Sequence, residues 1–243
     1  MPQRSYKAVF FDLDGTLLPI DMDTFLENYF NDIAAFAQSR GYEPKQFISA
    51  LNAGVKSMIA ETGGLNSERF WNTFASRMDA GELDEYQRVM DEYYAEHFDS
   101  LGALATNIDP NAAYVVKTLK EKGYPLYLTT MPLFPRIAVE KRLAWANVPA
   151  ESFDRITTYD NSTSTKPHSA YFAENVKAIG LKPEEILMVG NNTREDLAAL
   201  KVGLDAYLVT DWLLDPDGFD IESVKHGTLA DFAHFVDELP ECE

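Results

Sequence analysis

Ala8-Val9-Phe10-Phe11-Asp12-Leu13-Asp14-Gly15-Thr16-Leu17 joins a short apolar, β-rich run to two carboxylates spaced two residues apart and then to a glycine turn. An apolar run of this length that ends in turn chemistry reads as a strand buried in a parallel sheet. Ligands of such sheets collect at the carboxyl ends of the strands. Side chains alternate faces along a strand, but where the strand gives way at Gly15, Asp12 and Asp14 can lean into one crevice. One carboxylate is then placed to attack and the other to move protons. Two buried acids repel each other, so a divalent cation with oxygen ligands is their natural partner. A solvated, Asp-rich turn is the plainer reading of the same residues.

Asp12-Leu13-Asp14-Gly15-Thr16-Leu17 resembles the first motif of the haloacid dehalogenase-like superfamily of aspartate-nucleophile hydrolases. Composition is compatible with that resemblance. The 243 residues are 46% hydrophobic and 25% charged, as expected of a soluble globular chain long enough for one large domain or a core with a smaller companion. Against 39 acidic residues stand 21 basic ones, and the formal charge of −18 repels phosphate backbones and anionic membrane surfaces. Nucleic acid and membrane partners are therefore not expected, whereas a small phosphorylated metabolite is, because a metal ion and a placed cation reverse the field within a cleft. Cys242 is the single cysteine, so no internal disulfide forms and a reducing compartment fits. No signal peptide is visible and no apolar run approaches the ~20 residues that span a bilayer, which makes a cytoplasmic location the expectation. Oligomeric state leaves no mark in the sequence.

After Pro19 the texture is helical. Phe25, Leu26, Tyr29, Phe30, Ile33 and Phe36 recur at helical spacing, and Phe47 to Ile59 do so after Pro44. Phe70 to Met78 mark a third helix and Tyr86 to Phe98 a fourth. Residues 20–105 thus read as an inserted all-helical domain whose aromatic stripes form its own core. Its cations Lys45, Lys56, Arg69, Arg77 and Arg88 read as solvated surface charges.

From Asp109 strands and helices alternate. The strands are Leu126–Thr130, one near Ile156, Ile186–Val189 and Ala206–Val209; the helices begin near Pro110, Pro135, Ser169, Asp196 and Leu229. This pattern predicts an α/β fold, a doubly wound parallel sheet of Rossmann-like form with right-handed crossovers. The core is residues 1–19 and 106–243, split by the helical insertion.

Three later stretches carry candidate chemistry. Thr129 and Thr130 close the strand before Met131-Pro132, where a hydroxyl can donate to an anionic oxygen, although β-branched residues are also ordinary strand ends. Lys166-Pro167 holds an ammonium group after a polar loop, equally readable as a surface lysine. His168 reads as a loop or helix-start residue. The strand Ile186–Val189 runs into Gly190-Asn191-Asn192-Thr193-Arg194-Glu195-Asp196. Thr129, Lys166 and the Gly190 to Asp196 segment resemble the superfamily's second, third and fourth motifs, in order and on predicted strand ends. The resemblance departs at Asn191, where the family usually has Asp; an amide oxygen brings no negative charge, so weaker metal binding is expected.

The resemblance implies a Mg²⁺-dependent phosphatase with a helical cap. Asp12 would be the nucleophile and Asp14 the general acid and base. Thr129, Thr130 and Lys166 would bind the phosphoryl oxygens, and Asp12, Asp14 (through its carbonyl), Asn191 and Asp196 would hold the metal. An acid at position 14 favours phosphoryl transfer over carbon–halogen cleavage, since the dehalogenase branch lacks it. A phosphomutase of the same superfamily and a non-catalytic phospholigand-binding protein of the same fold are the alternatives.

Overall fold

The apolar run after Lys7 has no face that gains from water, and all four residues of strand β1 (Ala8–Phe11) are buried. The remaining strands are β2 (Leu126–Leu128), β3 (Arg155–Ile156), β4 (Ile186–Gly190), β5 (Asp205–Val209) and β6 (Lys225–Gly227). They form one all-parallel sheet in the order β3-β2-β1-β4-β5-β6, with Phe11 opposite Leu128 on one side and Val189 on the other. The computed structural model describes residues 5–242; residues 1–4 and 243, assigned above to the core, lie outside the described residues. The chain builds outward from β1 through β2 to β3, then crosses to the other side of β1 with β4. That reversal opens a crevice at the carboxyl ends of β1 and β4.

The insertion comprises α1 (Met22–Ser39), α2 (Pro44–Ala60), α3 (Asn66–Ala75) and α4 (Leu83–Glu92). Asp21 caps α1 by accepting from Thr24 N at 2.8 Å, and Pro44 opens α2, where its missing N–H costs nothing. Phe25, Tyr29, Ile33 and Phe36 form the buried stripe of α1. The expected fourth helix does not run on to Phe98: after α4 the backbone widens into a π turn at Tyr93–His97 and then tightens into a 3₁₀ stretch, Phe98–Leu104. Tyr93 and Tyr94 are consecutive yet both buried, the first donating to Asp32 and the second sharing a 2.8 Å hydroxyl bond with Tyr29.

The sheet is covered on both faces by α5 (Pro110–Glu121), α6 (Arg136–Trp145), α7 (Ser169–Ile179) and α8 (Leu229–Glu238). Val9, Phe11, Leu187 and Val189 face one layer with Val115 and Phe232, while Ala8, Phe10, Ile186 and Met188 face the other with Tyr171 and Phe172. The segment expected as a helix from Asp196 is a 3₁₀ stretch, Leu197–Val202, ended by Gly203 at φ +101°. Strand β6 was not expected, because its Lys-His-Gly sequence carries no apolar signal; it is placed by pairing with β5.

The insertion is fastened to the core by polar bonds at the start of α3. Asn66 N donates to Ser162 O and Ser67 N to Tyr159 O, both at 2.9 Å, and the fully buried Asn66 amide donates to Pro132 O and Ser164 O at 3.1 and 3.2 Å. Arg69 corrects the surface-charge reading, since it is half-buried and its guanidinium holds the carbonyls of Gly63, Gly64 and Thr163. Three carbonyls need donors here, and a guanidinium supplies several from one side chain. Lys45, Lys56, Arg77 and Arg88 are exposed as expected. Truncating Asn66 leaves Pro132 O and Ser164 O without its donors, so Asn66→Ala should destabilise the fold by about 1–3 kcal/mol in urea unfolding.

Candidate active site

The backbone around β1 and β4 brings the predicted acids together. Asp12 N donates to Val189 O at 2.8 Å, which carries the sheet pairing one residue past β1. Residues 13–18 then fold back on themselves, with Leu17 N and Leu18 N both donating to Leu13 O. Gly15 makes that loop possible twice over. Its φ of +80° suits glycine, and a Cβ there would lie 2.2 Å from Asn191 Nδ2. At the end of β4, Gly190 leaves room for the Asp196 carboxylate, which a Cβ would approach to 2.2 Å.

Lys166 is the centre of the cluster. Only 1% exposed, its Nζ donates to Asp12 Oδ1 at 2.7 Å and to Asp196 Oδ1 at 2.6 Å. The other Asp196 oxygen accepts from Asn191 N and Asn192 N, each at 2.9 Å. Asp196 therefore ties the lysine to the β4 turn with both of its oxygens engaged. Asn191 is held equally firmly: its Nδ2 donates to Trp212 O at 2.6 Å, and its Oδ1 accepts from Thr16 Oγ1 at 3.2 Å.

The two threonines differ. Thr129 lies fully buried beside β1, and its hydroxyl donates within the sheet to Phe11 O at 3.3 Å and toward Met188 Sδ at 3.4 Å. The Thr130 hydroxyl is buried with no hydrogen-bond partner, as are those of Ser164 and Thr165 just before Lys166. His168 contributes no chemistry to the cluster; its Nε2 lies 3.0 Å from Ile59 O of the insertion.

Arg142 is the site residue that the sequence reading passed over. It is 1% exposed, and its Nη1 donates to Asp14 Oδ2 at 2.5 Å. Ala138, Val139, Arg142 and Leu143 form the buried face of α6, so a cation on an apolar stripe was the available signal.

The family model for haloacid dehalogenase-like hydrolases matches residues 6–203, most of the chain. The chain belongs to this family of hydrolases. Similar proteins include the pyrophosphatase PpaX of Bacillus cereus, 25% identical over 92% of this chain and 91% of its own length. Another is the glyceraldehyde 3-phosphate phosphatase of Methanothermobacter thermautotrophicus, 27% identical over 97% of this chain and 98% of its own. Among solved structures, a haloacid dehalogenase-like phosphatase from Thermococcus onnurineus superposes with a TM-score of 0.56 at 18% identity, covering 97% of this chain and 99% of that one. The L-2-haloacid dehalogenase of Xanthobacter autotrophicus reaches the same TM-score at 15% identity, over 96% of this chain and 99% of that one. These likenesses are of fold.

Electrostatics in this haloacid dehalogenase-like hydrolase are unbalanced. Asp12, Asp14 and Asp196 bring three carboxylates, and Lys166 and Arg142 two cations, into a buried cluster. Burial pushes the Asp12 carboxyl up to about 7; Lys166 opposes the shift, while Asp196 and Asp14 add to it. Burial also works against the Lys166 ammonium, but Asp12 and Asp196 outweigh it and hold the group above the usual lysine range. The lysine stays charged because two acids share it, whereas Asp12 ionises less easily because its burial outweighs the pull of that lysine.

The surplus of negative charge tests whether a cation fits. Among the described residues no three His, Cys, Asp or Glu side chains are grouped to hold a metal. The available donors are the Asp12 carboxylate, the Asn191 amide oxygen and backbone carbonyl oxygen, a hard-oxygen set with a single acid, itself paired with Lys166 through Oδ1. Mg²⁺ is commonly bound by one or two carboxylates with waters and substrate phosphate completing its shell, so the set fits a weakly held Mg²⁺.

An acid whose folded pKa is raised stabilises the fold fully below its unfolded value of 3.8, and that stability is lost as pH rises through about 7. Asp12→Asn removes the titration. In metal-free buffer, thermal unfolding should therefore favour Asp12→Asn over the wild type progressively more as pH rises from 4 to 8; a constant difference would refute the shift.

Proposed function

We propose that this hydrolase is a Mg²⁺-dependent phosphatase that acts on a small phosphate monoester through an aspartyl-phosphate intermediate. The observation that carries the reading is the Lys166 ammonium bridging Asp12 and Asp196, with Asp14 two residues beyond Asp12. Asp12 attacks phosphorus, and Asp14 gives a proton to the departing oxygen as the phosphorus–oxygen bond breaks. Asp14 then takes a proton from water, which attacks phosphorus, frees Asp12 and releases inorganic phosphate. Lys166 offsets charge on Asp12 and on the phosphoryl oxygens, and the partnerless hydroxyls of Thr130, Ser164 and Thr165 offer further donors. Thr129 lines the same strand end.

Asp12, the Asp14 carbonyl and the Asn191 amide oxygen would hold Mg²⁺; Asp196, expected among the ligands, has both oxygens engaged and would instead orient Asn191 and Lys166 from behind. When bound, the ion supplies neutralising charge to the phosphoryl group. The pyrophosphatase and the glyceraldehyde 3-phosphate phosphatase among the relatives support a small phosphorylated substrate. Residues 20–105 act as the cap, closing over the crevice and excluding water.

Asn191 favours a second reading, a protein of this fold that binds a phosphorylated ligand without turning it over. One experiment separates the two. Hydrolysis of an aryl phosphate should require Mg²⁺, stop with EDTA, and fall about a thousandfold or more in Asp12→Asn. Absence of turnover at any Mg²⁺ concentration, with phosphate still bound, would favour the binding protein. Asn191→Asp should lower the Mg²⁺ concentration for half-maximal activity on the order of tenfold; an unchanged midpoint removes residue 191 from the ligands.

A further inference from the structure

Asp14 and Arg142 form an ion pair that stability does not explain. Both belong to buried surroundings, yet each keeps one polar atom without a partner, Asp14 Oδ1 and Arg142 Nη2. A buried pair left half-satisfied contributes little or nothing to folding, because desolvation of the unpaired atoms offsets the attraction. Arg142 is nevertheless held with care. Its Nε donates to Ala138 O one turn back in α6, and its guanidinium stacks on Phe134, 4.6 Å from the ring centre. Phe134 in turn meets three rings of the insertion, with centroids at 6.3 Å for Phe25, 5.5 Å for Tyr29 and 6.2 Å for Phe98.

We infer that Arg142 is the positioning residue of Asp14 and that the docked cap holds it in place. The inference rests on the phosphatase reading given above. By occupying Oδ2, the guanidinium fixes the carboxyl rotamer and leaves Oδ1 as the one oxygen free to exchange a proton with the leaving group and then with water. Phe134 transmits the cap's position: its ring is the floor under Phe25, Tyr29 and Phe98 and the face on which Arg142 lies. Asp14 is therefore aligned when the cap's aromatic layer is seated. Arg142 itself touches neither phosphorus nor the attacking oxygen.

The test compares two esters that need the proton differently. A nitrophenyl leaving group departs without protonation, whereas an alkyl alkoxide requires it, and kcat/KM reports the steps up to that departure. Arg142→Lys keeps a cation but loses the planar fork. It should lower kcat/KM for an alkyl phosphate on the order of a hundredfold while changing that for p-nitrophenyl phosphate only a few-fold. In the Asp14→Asn background the same substitution should cost nothing further on the alkyl ester. Equal losses on both esters, or additive losses in the double variant, would overturn the inference and assign Arg142 a purely structural role. If Arg142→Lys does not fold, Phe134→Leu carries the test, with the same selective loss expected and an equal loss refuting it. Wild-type protein that hydrolyses neither ester would instead refute the phosphatase reading itself.

Discussion

One lysine serving two buried carboxylates is the constraint on which this site depends. Lys166 reaches Asp12 at the end of β1 and Asp196 beyond β4, two segments 184 residues apart in sequence that hydrogen-bonded neighbouring strands bring together. Removing the ammonium would leave two acids facing each other in a low-dielectric crevice, each unable to ionise at modest cost. The rest of the local structure serves that arrangement. Gly190 makes room for Asp196, the Asn191 and Asn192 amides take its second oxygen, and Gly15 lets the loop after Asp14 pass against Asn191.

In the proposed reading the helical insertion adds a second layer of control. Its polar attachment, through Asn66 and Arg69, lies on the 159–164 segment that leads to Lys166, and its aromatic attachment lies on Phe134, under which Arg142 holds Asp14. Asp12 and Asp14, the acids of the proposed mechanism, are thus each backed by one cation, and each cation sits beneath a different seam between insertion and core. In the proposed mechanism, closure over a substrate would be linked to the electrostatic readiness of the acids, since the same contacts that seat the insertion seat the cations.

Much of this was legible in the linear chain. Asp12 and Asp14 stood out as polar residues at the end of an apolar strand, Lys166 and Asp196 through their resemblance to the superfamily's motifs, and the alternation after Asp109 announced a parallel sheet. Arg142 was not singled out, since a lone arginine in a helix is commonly solvated and nothing in its neighbours names Asp14 as a partner. Arg69 was misread for the same reason. Strand β6 escaped because Lys-His-Gly gains its pairing from β5 and not from its own burial, and the break after Glu92 escaped because the aromatic spacing of a helix continues through a widened turn.

By itself the sequence determined most of the elements, the expectation of a core split by a helical insertion, and the residue types able to do acid, base and nucleophilic chemistry, because periodicity and turn chemistry are local properties of a chain. Only the tertiary structure decided which charges meet. It assigned Lys166 to both Asp12 and Asp196, engaged both Asp196 oxygens, and paired Asp14 with an arginine 128 residues away. Pairing of this kind follows from strand order and helix packing, and its strength follows from burial, neither of which any short stretch of sequence contains.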